Sequence, residues 1–406
     1  MKRTTAPNTL PSKRTDITDV KSISKEDLKK TTKEDVEKAT KHQKVKKTKV
    51  ALIVSYVGRG YQGSMYLKNG EKTIEGDVEN AIYLAGCISE DNKHDFKKVS
   101  WSRCARTDKG VSAANNIFSL KMGTDGNFIE RINSHLPETI RVMDCVRVRR
   151  LFDAHTRVDN RNYEYVFPSY ALQQLHPNDL NIDLNYKATE EDIQYFNFVI
   201  GHYIRSHNFQ NYTYNTKETT PESQSNIRNI LSIEATLVQR NGLDLVVVAL
   251  KGQSFMIYQI RKMVGFALML TNMRYSKEMV DSIMETSFTL VKWRSLVPTA
   301  PPYGLFLERC NFDVYNNDIQ NNIQTQNLPI INSEETIKKC EEFKEKSIWT
   351  DITNYEKENH PFAQYFQNEV HYSKIDAVLS GKATLETFNE AQSVKTLPKA
   401  DDKSDD

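Results

Sequence analysis

Three observations predict an α+β fold for this chain. Two apolar, β-branched runs, Val50–Val57 (VALIVSYV) and Leu243–Leu250 (LDLVVVAL), read as strands. Other stretches have helical period: Thr73–Cys87 sets Ile74, Val78, Ile82 and Leu84–Ala85 on one face, and the helix ending near Leu270 is apolar nearly all round, as a buried helix is. The two kinds recur as a β–α–β–β-like grouping in each half of the chain, which suits helices laid on a sheet.

The elements follow in order. Residues 1 to about 47 are Lys, Thr, Asp and Glu with few large apolar side chains, a composition that cannot repay the entropy of ordering, so a disordered arm is expected. Residues 1–50 hold 15 Lys and Arg against 7 Asp and Glu, although the whole chain carries only +2. The cluster Lys41–Lys49 therefore reads as a nuclear-import signal, an RNA-touching arm or a plain solvated run; the seven acids argue against a mitochondrial presequence. After the Val50–Val57 strand comes the three-glycine turn Gly58–Gly63, which lacks the spacing of a phosphate loop. Then follow a helix over Thr73–Cys87, a strand over Val111–Leu120, a short helix over Phe128–Leu136 stopped by Pro137, and a strand over Ile140–Val148.

With 406 residues, 38% of them hydrophobic, the chain can bury a large core in one large or two fused domains. Its longest apolar run, Met263–Leu270, is far too short to span a membrane. Five scattered cysteines without CxxC spacing suggest neither a disulfide framework nor a zinc site, and a reducing compartment is the simplest expectation.

The chemistry concentrates in Ser100–Ser119 (SWSRCARTDKGVSAANNIFS). Here a polar, glycine-bearing loop lies between two apolar segments, a place where a scaffold displays a reactive group. Asp108 stands among Arg106 and Lys109, and positive charge nearby favours its ionised form, suiting a nucleophile or base. Asp-Lys-Gly is also an ordinary turn. A second signal is Arg161–Phe167 (RNYEYVF), whose alternation sets Tyr163, Tyr165 and Phe167 on one face of a strand, either as an aromatic core stripe or with Tyr163 free for a ligand. A third is Lys251–Gly265, where Arg261 opens the all-round apolar helix. A buried guanidinium needs a carboxylate, unless it snorkels out; Lys262 has solvent as an alternative.

The run RCARTDKGVSA closely resembles the catalytic motif of the TruA-type tRNA pseudouridine synthases, in its eukaryotic version. QIRKMVG, SHNFQNYT, Arg228-Asn229-Ile230 and GLFL at Gly304–Leu307 are similar to further family segments in the same order, from about Val50 to Tyr315; Ile348-Trp349 is similar to the C-terminal helical extension of eukaryotic members. The resemblance implies a mainly antiparallel central sheet built from two RRM-like or ferredoxin-like halves. The implied boundaries are 1–47 for the arm, 48–170 and 171–315 for the two catalytic halves, 316–380 for the helical extension and 381–406 for a disordered tail. It implies isomerisation of uridine to pseudouridine in tRNA, with small nuclear or messenger RNA as alternatives, and no cofactor or metal. Asp108 would be the catalytic carboxylate, Arg261 its ion-pair partner, and Tyr163 the ring that holds the detached uracil. Leu305 would line the uracil pocket, Arg106 would help extrude the base, and Lys109 would touch phosphate. A monomer and a nuclear location are expected, with mitochondrion or cytoplasm as alternatives. Departures from the family pattern fall at Ser64-Met65 and Ile257-Tyr258. Two rivals remain: an RNA-binding protein without activity, and a hydrolase, which would need a second acid–base group that no motif near Asp108 supplies.

Overall fold

Among the described residues, nine strands make one sheet. The computed structural model describes residues 47–214, 223–289 and 293–384. The strands are β1 Thr48–Tyr56, β2 Ser102–Arg103, β3 Ser112–Met122, β4 Ile140–Arg147, β5 Asn160–Pro168, β6 Arg205–Asn208, β7 Ile227–Arg240, β8 Leu243–Gly252 and β9 Leu305–Asn311. They run in the order β4-β1-β3-β9-β5-β8-β7-β6, with β2 paired to β3 on the side, and each of these pairings is antiparallel except β3 with β9, where Ser112 faces Phe306 and Ala113 faces Leu307. That parallel seam joins the first half of the chain to the second.

Helices cover both faces of the sheet. They are α1 Ile74–Leu84, α2 Phe128–Ser134, α3 Ala154–Arg157, α4 Glu190–Gly201, α5 Gln259–Met273 and α6 Lys277–Thr289, followed by α7 Asp313–Asn321, α8 Glu334–Phe343, α9 Trp349–Asn359, α10 Pro361–Asn368 and α11 Tyr372–Leu379. Thr73 starts α1 by accepting the Gly76 N–H at 3.2 Å, and Thr189 starts α4 with a reciprocal box to Asp192. None of the described helices is long and apolar enough to cross a membrane. β1 is buried along almost its whole length, which is why it reads as a continuous apolar run instead of an alternating one.

The second face explains the rest of the chain. Val57, Ala114, Val166, Leu245, Val247 and Phe306 form a second apolar cluster there. Phe343 of α8, Ile348 of the π-turn Lys344–Ile348, and Trp349 and Ile352 of α9 cover it. Burying side chains of this size contributes about 1.5–3 kcal/mol each. The sheet is therefore sandwiched, and the C-terminal helices supply its second cover. The arm and the terminal tail expected from composition lie outside the described residues, apart from Lys47 and residues 381–384. Lys49 departs from the solvated-run reading of Lys41–Lys49. It is buried in β1, donates to the Ser100 carbonyl at 2.7 Å, and burial lowers its pKa to about 8.

Candidate active site

The loop carrying Asp108 is held on every side by bonds that its sequence permits. Cys104 N–H donates to Ile117 at 2.8 Å, and the Asn116 amide brackets Ala105, donating to its carbonyl at 3.0 Å. Ser64 N–H donates to the Thr107 carbonyl at 3.0 Å, while the Ser64 hydroxyl accepts from Thr107 N–H at 2.9 Å. Gly110 N–H reaches Tyr61 at 3.2 Å, and Gly58 N–H reaches the Ser112 hydroxyl at 2.9 Å. The three-glycine turn is thus a cradle. A Cβ on Gly58 would lie 2.1 Å from the Val111 carbonyl oxygen, so only glycine admits this approach. Gly110 turns the loop at φ 80° with the Tyr303 ring packed against it.

A cleft of about 860 Å³ opens over this loop, a size within the ~300–1,000 Å³ of pockets that enclose a small molecule such as one nucleotide. Asp108, Arg106, Tyr163 and Leu305 all line it. Arg106 is exposed at the surface; Tyr163 and Leu305 are buried. The Tyr163 ring meets Phe255 edge-on at 5.2 Å, its hydroxyl has no hydrogen bond among the described residues, and burial pushes its pKa far up, so it acts as a neutral phenol. Lys109 is exposed and is not part of the cleft lining.

Two expectations about charge are corrected by the geometry. Burial is the largest influence on Asp108 and raises its pKa above the ordinary carboxylate value. The positive charge of Arg261, the Tyr258 backbone N–H and the charge of Arg106 oppose it in that order. The cations therefore offset desolvation without overcoming it. Arg261 also makes no direct ion pair with Asp108. It is half-buried, its Nε–H donates to the Ala300 carbonyl at 2.7 Å, and its guanidinium stands over the Tyr258 ring at 5.0 Å. Its neighbour is the buried cation. Lys262, which solvent was open to receive, is 7% exposed, donates to Val297 and Arg294 carbonyls at 2.7 and 3.0 Å, and burial lowers its pKa to about 7.

Tyr258 joins these groups. It precedes α5 in a left-handed conformation, φ 62°, which a bulky side chain adopts only under constraint. That turn places its N–H toward Asp108 and its ring beneath Arg261.

Three other residues of the lining, Arg161, Arg228 and Tyr214, had no role assigned from the sequence, and Tyr214 was not singled out at all. Arg161 is buried and donates to the Cys104 carbonyl through Nε and Nη2, at 3.2 and 2.6 Å, and to the Gln253 carbonyl at 2.7 Å. It clamps the Asp108 loop to the segment before α5. Arg228 donates to the Ser225 and Ile227 carbonyls at 2.7 Å through Nη1, and its buried Nε has no hydrogen bond among the described residues. Tyr214 is 61% exposed, with its ring edge-on to Tyr258 at 5.9 Å. Arg161 was visible as the first residue of RNYEY, and only its partners were not.

Arg103, Arg106, Arg161 and Arg228 outnumber Asp108 and Asp153 among the charged lining side chains. A cleft with the half-buried Asp108 carboxylate, a neutral phenol and guanidinium groups in its lining fits a polyanion bearing a flat ring. The second lining carboxylate, Asp153, is also half-buried but accepts from the Ser102 hydroxyl at 2.8 Å and from the His155 and Thr156 N–H groups at 2.8 and 3.1 Å as the cap of α3.

Residues 199–313 match a family model described as tRNA pseudouridine synthase. The human protein named pseudouridylate synthase 1 homolog is 36% identical over 338 residues, covering 82% of this chain and 75% of that protein. Its mouse counterpart is 36% identical over 322 residues, covering 78% and 72%. A Saccharomyces cerevisiae tRNA pseudouridine(27/28) synthase is 27% identical over 373 residues, covering 77% of this chain and 97% of its own length.

Proposed function

Since the chain belongs to the TruA-type tRNA pseudouridine synthase family, we propose that Asp108 is the catalytic carboxylate with which it isomerises uridine to pseudouridine in tRNA. One observation carries the assignment: Asp108 lines an arginine-rich cleft together with Tyr163 and Leu305, while the other lining carboxylate, Asp153, is taken up in capping α3. The glycosidic C1′–N1 bond breaks, the uracil turns in place, and C1′ bonds to C5; C5 releases its proton and N1 gains one, so no atom or electron is gained overall. An ionised Asp108 either attacks C1′ or takes a proton from the sugar.

The remaining residues take roles around that step. Tyr163 and Leu305 hold the uracil as it turns, the phenol stacking on its face. Arg261 acts through its charge and its grip on Tyr258, keeping a share of Asp108 ionised against burial. Arg106, exposed at the rim, takes the place left by the extruded base. Lys109, outside the lining, serves at most as a phosphate contact. Tyr214, exposed beside Tyr258, offers a face to a base flanking the target.

The coarser features extend the reading. The β1–β4 and β5–β8 groups are two RRM-like halves meeting at the β3–β9 seam. The catalytic halves divide near 170 and the helical extension begins near 316. The covered sheet face favours a monomer, and the basic residues preceding β1 favour the nucleus; fractionation and light scattering test these two.

The central test is tritium release from tRNA carrying C5-labelled uridine. Wild type releases tritium, and Asp108→Ala at equal RNA binding falls by about 10⁴-fold or more. Equal release by the two proteins removes Asp108 from the mechanism.

A further inference from the structure

We infer that the C-terminal helix α9 sets the position of the Asp108 loop, with Arg59, Tyr355 and Tyr303 as positioning residues for the isomerisation. The inference rests on the synthase reading and goes beyond it by giving α9 a part in the reaction.

Two lines of contact run from α9 to the loop, one to each side. On the first, Asp351 accepts from Arg59 Nε at 2.7 Å and pairs with its Nη2, while the Arg59 guanidinium stands 5.4 Å over the Tyr355 ring. Arg59 lies within the glycine cradle, between Gly58, which abuts Val111, and Tyr61, whose carbonyl takes the Gly110 N–H. On the second, the Tyr355 ring meets the Tyr303 ring at 4.4 Å, and Tyr303 packs on Gly110, two residues from Asp108. Tyr303 is also the middle residue of the turn Pro302–Gly304 that Leu305 caps, so the same contact reaches the uracil wall. Tyr355 therefore touches both arms of the brace.

The energetics favour position over stability as the role. The Arg59 side chain is 48% exposed and that of Asp351 14%, so solvent screens the pair from the arginine side and limits what it adds to folding. The apolar attachment of α9 is made elsewhere, by Trp349 and Ile352. What the Arg59–Asp351–Tyr355–Tyr303 chain adds is a fixed distance between a rigid helix and a loop whose carboxylate must sit correctly, and misplacement by about 1 Å can cost on the order of 100-fold in rate.

The test uses full-length protein and unmodified tRNA, measuring single-turnover rate, Kd for tRNA and thermal melting together. Tyr355→Ala lowers the rate about tenfold with Kd changed less than about twofold, Tyr355→Phe restores it, and Asp351→Asn falls between. Because Asp351→Asn keeps the size of the side chain and one acceptor oxygen, it keeps the test open if Tyr355→Ala melts early. An unchanged rate in Tyr355→Ala and Asp351→Asn overturns the inference, as does a raised Kd at constant rate, which would make this surface an RNA contact. Lack of tritium release by wild type would instead overturn the synthase reading itself.

Discussion

The loop side of the cleft and the side formed by Thr213, Tyr214, residues 225–228 and residues 255–258 are built to different standards. Around Asp108, backbone and side chains are cross-bonded from Ser64, Tyr61, Asn116, Ile117 and Arg161. The other side gives the Arg228 Nε no hydrogen bond among the described residues and exposes Tyr214 and Ile257, at 61% and 48%. The first is finished before any ligand arrives; the second keeps groups that a ligand can satisfy. Chemistry needs fixed atoms, whereas tRNA shape needs a surface that can be satisfied by more than one partner.

Variants sharpen this contrast, beginning with the largest effect. Gly58→Ala drives a Cβ into the Val111 carbonyl, so it should destabilise the fold by about 4 kcal/mol, seen as a lowered denaturation midpoint. Arg161→Ala leaves two carbonyls without their charged donor and should cost about 3 kcal/mol together with most activity; Arg161→Lys should recover only part, since one ammonium cannot reproduce the fork. Arg261→Gln removes the foremost influence opposing desolvation of Asp108. The Asp108 pKa then rises further, and the acid limb of the rate profile moves to higher pH, with activity at the alkaline end the least affected. On the other side, Tyr214→Ala should raise KM about fivefold, close to 1 kcal/mol of lost stacking, with kcat and melting temperature unchanged. A fall in melting temperature in that last variant would dissolve the contrast.

Much of this was legible in the chain. Strand and helix placement followed from β-branched runs and helical period, and the Asp108, Tyr163 and Leu305 segments do converge on one cleft. The failures have physical causes. Periodicity showed that α5 is buried, but not which of two adjacent cations points inward; Lys262 took that place because two carbonyls near residue 297 receive its ammonium. Counting charges near Asp108 ignored desolvation, which depends on packing from distant segments. Arg161 was visible, yet its role depends on Cys104 and Gln253, whose nearness only the fold creates. The covering of the second sheet face by α8 and α9 was likewise hidden, since an amphipathic helix does not state what it covers.

The parallel seam between β3 and β9 also sets the order of events at synthesis. Antiparallel neighbours such as β7 and β8 can close as soon as they leave the ribosome, but Ser112 has no partner in β9 until Phe306 emerges. Contacts this distant along the chain form slowly, because loop closure precedes any reward. A nascent chain therefore carries Asp108 and the Tyr61, Ser64 and Asn116 contacts of its loop long before β9, Arg261 and α9 are made beside them.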